Sequence, residues 1–148
     1  MTCDLRSAIL LLPFDFYVGH EIFIIFVILM EHHSTIKDTG LTNRIVRELE
    51  PLGVERVILF GSFAYGSPTV DSDIDLLVVT SDDFIPRSFS EKKAISLRVN
   101  NALSFVRDSY PLDIIVHTRP MYQAFLLLDS AFQREISSKG IVLYEKDN

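Results

Sequence analysis

The chain has a single cysteine, no apolar run long enough to cross a membrane and no cluster of basic residues, and each lack removes a class of function. Cys3 has no partner for an intrachain disulfide, which excludes a disulfide scaffold and agrees with a reducing compartment, so the chain is read as cytoplasmic. Fourteen Lys and Arg stand against twenty Asp and Glu, a formal net charge of -6, and the cations are scattered. That balance argues against a general nucleic-acid-binding surface. The aromatic residues mostly fall in apolar periodic segments and read as core, not as platforms for stacked bases. No internal repeat or low-complexity tract is present, and 148 residues leave room for one core.

The amino-terminal segment is a separate matter. Residues 8–30 are strongly apolar but broken by Pro13, Asp15, His20 and Glu21, and the longest uninterrupted stretch, residues 22–30, holds nine residues. A spanning helix needs about 20, so a membrane span is rejected. Asp4 beside Arg6, with no small-residue cleavage site after the apolar stretch, argues against a secretory leader. Everything recognisable as a domain begins after Met30. Residues 1–29 are therefore read as a doubtful extension, with Met30 as the expected true start, and residues 30–148 as the domain. As a translated segment, the extension would be an amphipathic arm for a partner or a membrane surface.

From Leu41 the pattern is regular. Leu41, Ile45, Val46, Leu49 and Leu52 recur at helical spacing until Gly53 stops the run, and a β-prone segment at residues 56–60 follows. A polar loop through Pro86 precedes a second apolar face made by Ile95, Val99, Ala102, Leu103 and Val106. Residues 111–116 read as another strand, Met121, Phe125, Leu128 and Phe132 as one last helix, and residues 140–145 as a closing strand. Helices and strands alternate, which predicts an α/β (α+β) domain: a small mixed sheet with helices packed mainly on one face.

Chemistry concentrates in three places. Gly61-Ser62 directly follows the first strand, where a turn into a short helix would leave backbone N–H groups exposed to an anion, with the serine capping the helix or binding a phosphate oxygen. By itself this dipeptide is equally an ordinary turn. Ten residues later, Asp73-Ile74-Asp75 leads into Leu76-Leu77-Val78-Val79. The period of two along a strand puts Asp73 and Asp75 on one face and Ile74 in the core. Two carboxylates held together raise one another's pKa unless a divalent cation takes oxygens from both, and Mg²⁺ suits a site completed by waters and substrate phosphates. The plainer reading is a solvated acidic loop formed by Asp71, Ser72, Asp73 and Asp75. Asp113 then interrupts an otherwise apolar strand, either paired or metal-bound, or placed at a strand edge where it reaches water. His117, at the end of that strand, either contacts nucleotide or acceptor or is a solvated strand-end histidine. His32 and His33 precede the domain and are assigned no ligand.

These residues resemble the minimal nucleotidyltransferases of the DNA polymerase β-like superfamily, whose signature is Gly-Ser, ten residues, Asp-x-Asp and a third Asp on a later strand. The resemblance runs over about residues 42–145 and departs at Tyr65, where many members carry arginine. Arg56, Lys92, Lys93 and Arg98 are candidate replacements for that charge. The family implies two Mg²⁺ ions held by Asp73, Asp75 and Asp113, with ATP as substrate and its β and γ phosphates gripped by Gly61 and Ser62. Asp113 would hold the ion that activates the acceptor hydroxyl. The chain also looks like the antitoxin half of a two-protein module, which implies adenylylation of a tyrosine on a HEPN-type ribonuclease toxin encoded nearby. Two other readings stay open: transfer to a small molecule, and a non-catalytic antitoxin that acts by contact.

Overall fold

The computed structural model describes residues 39–69 and 71–147; the expected extension over residues 1–29 lies outside them. Helix α1, Thr39–Leu49, buries Ile45 and Leu49 completely. A single 3₁₀ turn, Glu50–Leu52, follows. Gly53 ends it in the left-handed region, at φ 70°, and donates its N–H to the Glu50 carbonyl, as expected of a helix stop at glycine. The chain then enters β1, Val54–Phe60, passes through the short α2, Gly61–Tyr65, and returns as β2, Ile74–Thr80.

Helix α3, Phe89–Ala102, starts on Ser88, whose side chain accepts the Glu91 N–H. The apolar face expected of one helix continues across a break at Leu103 into α4, Ser104–Arg107. Ile95, Val99, Leu103 and Val106 are all buried and Ala102 partly so. Strand β3, Leu112–Thr118, precedes α5, Arg119–Leu126, and α6, Ala131–Lys139, and β4, Ile141–Glu145, closes the fold.

The single helix expected from Met121, Phe125, Leu128 and Phe132 is thus two. Asp129 takes φ 35°, and Ser130 restarts the helix by accepting the Gln133 N–H at 3.1 Å. Local capping prevails over apolar periodicity here. Leu128 consequently lies exposed, while Phe125 is buried edge-to-face with Phe132, ring centroids 5.9 Å apart.

The strands lie in the order β3-β2-β1-β4. β1 is antiparallel to both neighbours, and β2 and β3 are parallel. Alternation along the strands sorts their side chains to two faces. Val57, Leu59, Ile74, Leu76, Val78 and Val116 pack with α1, α3 and α4 in the larger cluster. Ile58, Phe60 and Leu77 meet Phe125 of α5 and Ile136 of α6 in the smaller one. The sheet is mixed and most helix burial is on one face, in line with the sequence reading. Among the described residues, no helix is long and apolar enough to cross a membrane.

Candidate functional site

The site is built at the end of the sheet where β1 leaves and β2 and β3 begin. Asp75 is the second residue of β2, and its neighbours across the ladders are Phe60 on β1 and Asp113 on β3. The parallel register of β2 and β3 thus sets two carboxylates side by side, on the face that also carries Leu77 and Ile115. Asp73 precedes the strand by one residue and is exposed. Ile74, between them, is fully buried and donates its N–H to the Pro111 carbonyl at 2.9 Å, pinning both strand starts together.

Gly61 closes the other side. It takes φ 70°, and a Cβ added there would collide with the Asp75 carboxylate and sit 2.8 Å from its Cγ. Only glycine gives the chain both that backbone conformation and that close approach. Ser62 follows within α2 and does not cap it; Phe60 is the N-cap residue, and no side chain accepts a capping bond there. Five residues carry little macrodipole, so anion affinity at this turn rests on its local N–H and hydroxyl groups.

The electrostatics follow from this crowding. Partial burial, the Asp113 charge and the Asp73 charge, in that order, push the Asp75 carboxyl above the usual carboxylate range. Among the described residues, no Lys, Arg or His forms an ion pair with Asp73, Asp75 or Asp113; the ion pairs there use Asp82, Asp83, Asp129, Glu55 and Glu145. Asp113 is exposed because β3 is an edge strand, so the water-reaching alternative describes its placement and burial does not force it to find a cation.

Among the described residues, no three His, Cys, Asp or Glu side chains stand close enough to enclose a metal ion by themselves. The donors nevertheless suit a hard cation that takes few protein ligands. All are carboxylate oxygens, and their mutual repulsion is what such a cation relieves.

Other expected groups lie elsewhere. Arg56 pairs with Glu145 and donates to the Tyr122 hydroxyl at 3.1 Å, while Arg98 pairs with Asp82 just beyond β2, both at the opposite end of the sheet. His117 lies opposite Val79, four register positions beyond the Asp75–Asp113 pair, and is half-buried in an edge-to-face contact with Phe125, ring centroids 5.4 Å apart. It is not a solvated strand end, and it stands towards the far end of the sheet from the three acids. Burial first, then the charge of Lys92, lowers its pKa. A cavity of about 530 Å³, lined by Arg56, Arg119, Tyr122 and Glu145 among others, also belongs to that far end.

Sequence reading missed Lys139 and Glu135 of α6. Ile141 at the start of β4 pairs with Leu59, so the end of α6 comes down beside the Gly61 turn. The Lys139 ammonium sits 5.3 Å from the Tyr65 ring centroid. Burial and the neighbouring Glu135 and Asp75 raise the Tyr65 phenol pKa, against a lowering contact from the Gly61 backbone. The signal was available in outline: a basic residue in the last helical turn, immediately before the strand expected to close the sheet.

Residues 41–121 match the nucleotidyltransferase domain family, more than half of the chain, and the protein belongs to that family. No curated protein matches the sequence. Among solved structures, a toxin–antitoxin complex with AMP-PNP is similar at 19% identity, covering 72% of this chain and 74% of that one with a TM-score of 0.48. A mutant of the toxin–antitoxin pair MntA-HpeT follows at 17% identity, 72% and 74% coverage and a TM-score of 0.44. A third structure, described as a minimal nucleotidyltransferase, has 22% identity, 69% and 88% coverage and a TM-score of 0.42.

Proposed function

We propose that this nucleotidyltransferase domain transfers AMP from ATP to a hydroxyl on a partner protein, a tyrosine of a HEPN-type toxin encoded beside it. The observation that carries the chemical part is the Asp75–Asp113 pairing across β2 and β3, with Gly61 held against Asp75 and Asp73 adding its charge. Like-charged oxygens concentrated without a protein cation give a site whose complement is a divalent ion and the phosphates it carries.

Asp73, Asp75 and Asp113 would hold Mg²⁺, which supplies charge neutralisation to the triphosphate and lowers the pKa of an acceptor hydroxyl. Gly61 and Ser62 would bind the β and γ phosphates through backbone N–H and hydroxyl groups. The acceptor oxygen attacks the α phosphorus, the bond from that phosphorus to the pyrophosphate oxygen breaks, and Asp113, exposed at the sheet edge, receives the hydroxyl proton. Its exposure also supports a large acceptor, because a protein side chain can reach an edge strand from solvent. The shared antitoxin resemblance supports the choice of partner.

The test is to incubate the protein with Mg²⁺, ATP and the product of the neighbouring gene and to weigh both proteins intact. A gain of whole AMP units on the neighbour, absent with Asp75→Asn, is expected. A stable complex with no mass gain would replace transfer with inhibition by contact.

A further inference from the structure

We propose that Lys139, braced on Tyr65, binds the terminal phosphates of the nucleotide and supplies the cation that the Gly61 turn itself lacks. The inference rests on the nucleotidyl-transfer reading and adds a binding residue to it. Three observations carry it. The β1–β4 ladder pairs Leu59 with Ile141, so the last residue of α6 lies next to the residue that opens α2. The Lys139 ammonium stands over the Tyr65 ring at 5.3 Å, a cation–π distance that fixes a flexible side chain beside the turn. The ion pairs of the described residues employ Arg56, Arg98, Arg119 and Arg134 and leave Lys139 out.

The Tyr65 phenol neighbours the Glu135 side chain and the Gly61 backbone. Glu135 is one helical turn before Lys139 on α6, so a single helix end brings both a carboxylate and the ammonium to Tyr65. With three carboxylates at the strand starts, an incoming triphosphate meets strong repulsion, part of which Mg²⁺ held by those acids would offset. A lysine on the Gly61 side completes the offset at the far end of the chain of phosphates. Glu135, on the same helix, and Asp75 are the charged groups near the Tyr65 phenol over whose ring Lys139 stands.

Calorimetric titration of the full chain with Mg²⁺ and either a non-hydrolysable ATP analogue or AMP tests the assignment. Lys139→Met should weaken the triphosphate by about tenfold, the size of one charge-assisted contact, and leave AMP unchanged, with Lys139→Arg restoring most of the loss. Equal triphosphate affinity in Lys139→Met and wild type would overturn this assignment alone, as would equal losses for triphosphate and AMP. Wild-type protein that binds no triphosphate would overturn the nucleotidyl-transfer reading together with it.

Discussion

The two ends of the sheet treat carboxylates in opposite ways. Where β1 begins and β2, β3 and β4 finish, Glu55 is gripped by Arg119, with the Nε donating at 2.9 Å and 3.0 Å to its two oxygens. Glu145 is paired with Arg56, and Asp82 with Arg98. At the other end Asp75 and Asp113 stand side by side with Asp73 nearby, and no described cation pairs with any of them. At the first end, arginines neutralise Glu55, Glu145 and Asp82. On the proposed function, the unmatched end is where a divalent ion and the phosphates it carries would bind.

The pKa directions record the same contrast. The Arg119 hydrogen bond lowers the Glu55 carboxyl, against a smaller opposing effect of burial. Its stabilising share is therefore present above the ordinary carboxylate range and is lost as pH falls through the lowered value. Asp75 is raised, so its ionisation works against the fold, and that cost appears as pH climbs through the raised value.

Removing the unmatched acids should have the largest effect. Asp73→Ala with Asp75→Ala should reduce transfer by more than about a thousandfold while circular dichroism stays native, since no structural ion pair is lost and like-charge repulsion is relieved. Unfolding of that double variant would reassign the acids to structure.

Gly61→Ala should come next. The added methyl must displace the Asp75 carboxylate and occupy φ 70°, so we expect a loss of about a hundredfold in transfer and about 1–3 kcal/mol in stability by chemical denaturation. Native activity in that variant would show that Asp75 can leave its position freely.

Arg119→Met sharpens the other side. Its partner Glu55 is three-quarters buried and the arginine is 41% exposed, so a small loss of stability is expected, with transfer rate unchanged. The loss should shrink in acid as Glu55 takes up a proton.

The smallest effect separates the ends by sign. Asp75→Asn should raise the melting temperature at neutral pH by about 1–3 °C, and the gain should vanish on acidification, the reverse of the pH direction at Glu55. A melting temperature that falls at neutral pH would contradict the raised Asp75 carboxyl.

Much of this site was legible in the sequence, because its first half is local. Gly61 follows a β-prone run, and the two acids flank a single apolar Ile74, which is buried as alternation expects, with Asp73 one residue ahead of the strand. The Asp75–Asp113 pairing was not legible in the same way. It depends on β2 and β3 lying parallel and in a particular register, which the alternation of either strand leaves undetermined. The sequence left Asp113 either paired or at a water-reaching strand edge, and only strand order decides for the edge.

Lys139 was the harder case. Its role depends on β4 pairing with β1 rather than with β3, which brings the end of α6 to the Gly61 turn. The missed break between α5 and α6 has a local cause. A serine cap and one residue at positive φ interrupt an apolar pattern that would otherwise have continued.

The most direct test of the account places the two ends in one assay, following radiolabel from ATP marked at the α phosphate onto the neighbouring gene's product with wild type, Asp75→Asn and Arg119→Met. The account predicts labelled partner with wild type and Arg119→Met and none with Asp75→Asn. Label transfer that survives Asp75→Asn, or a stable wild-type complex that never becomes labelled, would contradict it.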